Sequence, residues 1–169
     1  RQIFALADKH NTAVQTSSAL RYTNVQDETE KIAPIKHMTT WGGGSSFDEY
    51  AIHPLELLVS VMGYEVTALM RRGGAEGAQL LIEFAGGRTG TANVFPKTTT
   101  PFAASFTTDK ATRYVEVDVS KIFVNNQAGV LDFFEAGKPL IDRRESLAIM
   151  WILDASRDPR AMKEFVRPQ

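Results

Sequence analysis

The apolar positions of the chain fall into successive patterns. Ile3, Phe4 and Ala7, with Leu6 beside them, recur at helical spacing and predict a helix over 1–10 that closes at Asn11. Ala13 to Ser18 is a short β-favouring run and predicts a strand. Asn24 to Lys31 is polar and turn-like and is expected to be a linker. Ile35 to Trp41, β-branched and aromatic, predicts a strand that Gly42-Gly43-Gly44 breaks. Phe47, Ala51, Leu55, Leu58 and Met62 then return to helical spacing, with Gly63 just past the end. Pro54 either opens the regular helix at its first position or kinks a longer one.

From Tyr64 to Ser120 the period changes to two. Val66, Ala68 and Met70 alternate with polar residues, as do Leu80, Ile82 and Phe84. Val94, Phe102 and Phe106 follow, and Val115, Val117 and Val119 close the series. Breaks at Gly73-Gly74, Gly86-Gly87, Pro96 to Pro101 and Asp109-Lys110 predict an antiparallel meander. Such a sheet can leave one face open, here for a second subunit. Two helices finish the chain. Val130, Leu131, Phe133 and Phe134 carry one, stopped by Gly137, and Leu147, Ile149, Met150, Ile152 and Leu153 carry the other. Asp142 and Glu145 have capping-box spacing at its start.

Strands followed by helices give an α+β fold, a mostly antiparallel open sheet with helices on one face. The opening helix and strand look like the last unit of a parallel α/β sheet, a Rossmann remnant over 1–23, with the α+β domain over 24–169. The chain opens at Arg1 inside an uncapped helix, so it is expected to be a piece of something longer.

Composition narrows the function classes. A net charge of -1 and no Lys/Arg run give no support for a nucleic-acid partner or an acidic membrane surface. No apolar run reaches the roughly 18–20 residues of a membrane span. The sequence has no cysteine, which excludes disulfides, thiolate metal sites and cysteine nucleophiles and suits a cytoplasmic protein. His10, His37 and His53 lie too far apart in sequence for a metal motif, and no GxSxG elbow is present. The glycine triplet lacks GxGxxG spacing and a following Lys-Ser/Thr, so it reads as a turn and not a phosphate loop.

His53 is the sharpest chemical candidate. Asp48, Glu49 and Tyr50 precede it and Glu56 follows within one helical turn. A histidine with nearby carboxylates can relay a proton at neutral pH, or it can simply cap its own helix. Arg21 and Tyr22 sit just after the first predicted strand, where ligands gather in open parallel sheets. Trp41 and Asp48, on either side of the glycines, join them as candidate substrate contacts.

The order of these pieces resembles the glucose–fructose oxidoreductase/inositol dehydrogenase (Gfo/Idh/MocA) group. "RQIFALADKHNTAVQTSSALRY" is similar to the family's last Rossmann helix, the strand after it and the Arg-containing segment leading out. "FDEYAIHPLELLVSVMG" is similar to its segment with an acidic residue, a histidine, a second acidic residue and a closing glycine. "VLDFFEAGKPLIDRRESLAIMWILDASR" is similar to its closing helix pair. The resemblance implies an N-terminal Rossmann domain that binds NAD or NADP, missing here, so that this fragment itself binds no cofactor. It implies a sugar or polyol substrate, and a homodimer or larger assembly through the sheet face. His53 matches the catalytic histidine, placed to exchange a proton with the substrate oxygen. The usual acidic partner stands four residues earlier, a position held here by Glu49, and Asp48 and Tyr50 beside it are alternatives for the same role. Glu56 matches the second acidic position. The family's catalytic lysine belongs to the missing half, and neither Lys138 nor Lys97 replaces it. The competing reading is a non-catalytic module of the same descent that binds a ligand or mediates dimerisation.

Overall fold

Alternation in the middle of the chain builds a six-stranded sheet, described here with residues 1–168 of a computed structural model. The strands are β1 (His37–Gly44), β2 (Val66–Gly74), β3 (Gly77–Phe84), β4 (Arg88–Pro96), β5 (Ala103–Thr107) and β6 (Thr112–Glu116). Their order is β2-β3-β4-β1-β5-β6. Every neighbouring pair is antiparallel except β1 with β4. The meander is therefore opened at its centre by the first strand, which enters parallel to β4 and splits β4 from β5. The helices are α1 (Gln2–Lys9), α2 (Asn24–Glu30), α3 (Phe47–Tyr50), α4 (Ile52–Met62), α5 (Ile122–Ala136) and α6 (Arg143–Ser156).

Register separates the two faces. Arg71, Leu80, Ala92, Thr40, Ala104 and Val115 stand opposite one another across all six strands on the helix side. Leu69, Ile82, Gly90, Met38 and Phe106 form the adjoining row, and each is buried. On the opposite face, next to the first of these rows, lie Arg72, Gln79, Asn93, Trp41, Ala103 and Glu116. That second face carries the hydroxyl and amide pairs Gln79–Asn93 and Thr107–Thr112, and His37 bonded to Thr39 and Thr89. The expectation of a mostly antiparallel sheet with helices on one face holds.

Helix α4 is the centre of the core. Leu55, Leu57, Leu58 and Val59 are fully buried because the sheet covers one side of it and α2 and α6 the others. Leu58 seats over Gly90, where an added Cβ would lie 3.0 Å from its Cδ2. Full burial of each such side chain stabilises the fold by about 1.5–3 kcal/mol. Gly63 (φ 80°) ends α4, and Gly137, in left-handed conformation, ends α5. Helix α5 starts eight residues before Val130. It packs weakly, and Phe123, Val124, Leu131 and Phe134 remain exposed.

Several local expectations fail. The strand expected over Ala13–Ser18 does not form, because no neighbouring strand pairs with it among the described residues. The run is instead pinned by side chains. Gln15 Oε1 accepts from the Leu140 and Ile141 amides, and Thr16 and Ser146 share a hydrogen bond at 2.6 Å. The expected linker over 24–31 is helix α2, closed at its start by a full capping box between Thr23 and Gln26. Val25 and Thr29 are buried, so the segment is part of the core layer and not a tether. The glycine triplet does not break the strand. Gly42 to Gly44 stay in register with Val94 to Pro96. In β2 a bulge between Val66 and Ala68 ends the strict alternation, and Ala68, Leu69 and Met70 are all buried.

Replacing Thr23 by Ala removes one half of the α2 capping box and is expected to lower stability by about 1 kcal/mol in urea denaturation. Glu30→Ala on the exposed end of the same helix should stay within about 0.5 kcal/mol of wild type. Equal, negligible losses for both would mean that the segment behaves as a tether.

Candidate functional site

The site is set by the passage from β1 into α4. Ser46 caps α3, its Oγ accepting from the Glu49 amide at 3.3 Å. Pro54 has no N–H to give to the Tyr50 carbonyl, so the helical ladder lapses at Ala51 and α3 gives way to α4. Pro54 thus lies in the first turn of α4, three residues past the interruption. The Tyr50 ring lies flat on Gly44, where a Cβ would come 2.0 Å from Cγ, and the Phe102 ring lies on Gly42 at 2.8 Å. The glycines exist for close approach, a role that sequence reading as a turn did not supply.

Between these two rings sits His53, half-buried. Tyr50 and Phe102 meet it edge-on, with ring centroids at 5.4 and 5.8 Å. Its Nδ1 is 3.3 Å from the Ser18 hydroxyl. Burial pushes its pKa below the ordinary 6.5, which keeps the ring neutral at pH 7.

The carboxylates near His53 in sequence are engaged elsewhere. Asp48 accepts from Arg157 at 3.1 and 3.2 Å. Glu49 accepts from the Ser45 hydroxyl. Glu56 accepts from Nε and an Nη of Arg21, both at 3.1 Å, and Arg21 also bonds Glu145 of α6. Burial pushes the Glu56 carboxyl up, against the pull of Arg21. Glu145 does not complete the capping box. Asp142 caps α6 through the Arg144 amide, while the Glu145 side chain serves Arg21.

Of the candidate residues, the structure therefore brings His53 and Tyr50 together and leaves Asp48 and Glu49 on the solvent side of α3. Arg21 ties the N-terminal segment to α4 and α6. Tyr22 packs on Gly129 of α5, where a Cβ would come 2.5 Å from its ring, and its carbonyl accepts from Asn125. Trp41 is on the opposite face of the sheet, edge-on to Tyr114 at 6.0 Å, because its parity along β1 is opposite to that of Gly42 and Gly44. Sequence reasoning missed Ser18, Phe102 and Glu145. Each had been absorbed into a predicted strand or cap, and only tertiary structure delivers them here. Among the described residues no cluster of three or more His, Asp or Glu could hold a metal ion, and no helix is long and apolar enough to cross a membrane.

No family model matches the chain, and no curated protein matches it in sequence. Solved structures share its fold. GenD2 from gentamicin A biosynthesis, in complex with NAD, is 14% identical over 100% of this chain and 67% of its own, with a TM-score of 0.82. A protein of Sinorhizobium meliloti provisionally assigned as a myo-inositol dehydrogenase is 12% identical over 88% of this chain and 60% of its own, with a TM-score of 0.69. A lysine-substituted KijD10, a 3-ketoreductase from Actinomadura kijaniata bound to TDP-benzene and NADP, is 12% identical over 92% of this chain and 64% of its own, with a TM-score of 0.66. The chain thus shares the fold of a part of each of these proteins and spans 60–67% of their length.

The lowered His53 pKa makes stability pH-dependent. The unfolded chain takes up a proton near 6.5 and the folded chain only at lower pH. The contribution is therefore complete above 6.5 and is lost as pH falls through the folded value. In urea denaturation the stability difference between wild type and His53→Gln should shift against wild type from pH 7.5 to pH 5. A difference that stays constant over that range would show an unshifted histidine.

Proposed function

We propose that the chain is the C-terminal substrate-binding and catalytic-histidine domain of an NAD(P)-dependent oxidoreductase acting on a sugar, polyol or related hydroxy compound. Residues 1–23 are the end of its Rossmann domain and residues 24–169 the substrate domain. The observation that carries this reading is His53. It is a neutral, half-buried imidazole held at Nδ1 and flanked by two aromatic rings, in the first turn of α4, in a fold shared with nicotinamide-bound proteins. Such a ring leaves one nitrogen to meet a reacting oxygen.

The residues present do not fit the dinucleotide itself. The amides of Gly42 to Gly44 belong to a strand paired with β4 and are not a loop opening onto a helix N-terminus. NAD or NADP, which would supply the hydride, belongs to a domain outside these residues. What this chain contributes is the histidine, the aromatic walls and the Arg21 cluster that fixes the segment beside them.

A second reading has its own support. Among the described residues no carboxylate is hydrogen-bonded to His53, and Asp48, Glu49 and Glu56 are bonded to Arg157, Ser45 and Arg21. A ligand-binding or dimerisation module that has lost the chemistry would look the same. Calorimetry separates the two. The longer protein that carries this chain is expected to bind one nicotinamide cofactor, and the 169-residue chain none. His53→Ala in the longer protein should lower kcat by about 10²–10⁴-fold. No cofactor binding by the longer protein would favour the module.

The open face is proposed as the site of a second copy of the chain. Trp41 and Tyr114 stand there as an aromatic pair, Tyr114 exposed at 59%, amid side chains whose polar groups are already bonded to one another. Sedimentation velocity should show a dimer for wild type and a monomer for Trp41→Lys. A monomeric wild type would remove this assignment.

A further inference from the structure

We infer that Ser18 sets the tautomer of His53, donating its hydroxyl proton to Nδ1 so that the ring carries its own proton on Nε2. The inference rests on the reading of His53 as the group that meets the substrate, and it specifies how the ring meets it. Ser18 is the N-cap of the 3-10 turn Ala19–Arg21. Its Oγ is 3.3 Å from the Leu20 amide, and an amide can only donate, so Oγ accepts there. Its second neighbour is His53 Nδ1, also at 3.3 Å. The hydroxyl has one proton to give, and among the described residues Nδ1 is the acceptor within hydrogen-bond distance of it, so donation to Nδ1 uses a proton that accepting an Nδ1–H would leave unused. A neutral imidazole holds a single N–H, so with Nδ1 accepting, that N–H is on Nε2.

A carboxylate on Nδ1 would do the reverse. It would draw the proton to Nδ1, strip Nε2 to a lone pair and make the ring a stronger base. The groups facing His53 exclude that arrangement. From α3 comes the Tyr50 ring and from the start of β5 the Phe102 ring, both by their edges. From α4 itself comes Glu56, bonded to Arg21, and from α6 comes Glu145, bonded to the same guanidinium. Asp48 and Glu49 pair with Arg157 and Ser45. Ser18 is what touches Nδ1.

Ser18 is held to this task from both sides. Three residues on, Arg21 is fixed by two carboxylates, and Leu20 between them is buried in the core. Two residues back, Thr16 is bonded to Ser146 of α6. Ser18 is thus a positioning residue that acts through His53. The consequence is a preference in the ligand. An Nε2–H is a hydrogen-bond donor, so the niche favours an oxygen that accepts, a carbonyl, over one that must surrender a proton. A neutral histidine used this way polarises a carbonyl, so the inference narrows the proposed reaction to its reductive direction, with the hydroxy compound as product.

The test is ¹⁵N NMR of the chain labelled at histidine, at pH 7.5, with His53→Gln to assign the signals. Wild-type His53 is expected to show a pyrrole-type Nε2 and a hydrogen-bonded, pyridine-type Nδ1. Ser18→Ala should move Nδ1 by several ppm toward the unbonded pyridine value, and Ser18→Thr should restore it. Ser18→Asp should move the proton to Nδ1 and raise the titration midpoint of the ring. His10 and His37 should be unchanged in all variants, which reports an intact fold. A pyrrole-type Nδ1 in wild type, or an Nδ1 signal indifferent to Ser18→Ala, overturns the inference. The readout needs no turnover, so failure of the oxidoreductase reading would appear separately, as absence of cofactor binding in the longer protein.

Discussion

Arg21 lies between Glu56 of α4 and Glu145 of α6, and the surroundings of His53 depend on that shared cation. All three groups are largely withdrawn from water, with side-chain exposures of 10%, 6% and 19%. Two carboxylates and one guanidinium at such burial are costly to desolvate. Their mutual attraction repays the cost only while all three are present, and removing one partner from a buried set typically costs about 3–5 kcal/mol. An apolar substitute for the whole set could be as stable, so the consequence of the cluster is positional. It fixes a segment that pairs with no strand, and it keeps Glu56, one helical turn from His53, from acting on the ring. Desolvation is then left to dominate the histidine, and its pKa falls where an adjacent free carboxylate would have raised it.

The sheet determines the rest by parity. Gly42 and Gly44 expose bare backbone on the helix side for Phe102 and Tyr50, while Trp41 points the other way. One strand therefore supplies both the glycine floor of the His53 niche and Trp41, one half of the aromatic pair on the open face. Because β1 is clamped between β4 and β5, its register is fixed along both edges. A one-residue slip would place Trp41 against Pro54 and turn the glycines outward, destroying both surfaces at once.

What was legible in the sequence was what local physics decides. The alternation of Leu80, Ile82 and Phe84, the glycine stops after α4 and α5, and the Asp142 cap all appear in the fold where they were expected. The Thr23–Gln26 capping box was also present in the sequence, yet the polar composition of 24–31 outweighed it, since only Val25 and Thr29 of that helix face the core. Glu145 had the right spacing for a cap, but a buried guanidinium is a stronger partner for a carboxylate than a backbone amide at a solvent-facing helix end. Ala13–Ser18 had strand propensity and no strand to pair with. The insertion of β1 between β4 and β5 is a long-range choice that no local pattern encodes.

The same distinction explains the site. His53 and Tyr50 were visible because they stand three positions apart in sequence. Ser18 and Phe102 lie 35 and 49 residues away in sequence and reach the ring only through the fold. Reading along the helix supplies carboxylates as partners for the histidine, and the folded chain turns each of them toward another group. What replaces them is a hydroxyl and two aromatic rings. A histidine so placed is held neutral and oriented, with one face of its chemistry already committed to Ser18. Its remaining nitrogen is defined by that commitment, so the chemistry of the niche follows from the residue that supports His53 as much as from His53 itself.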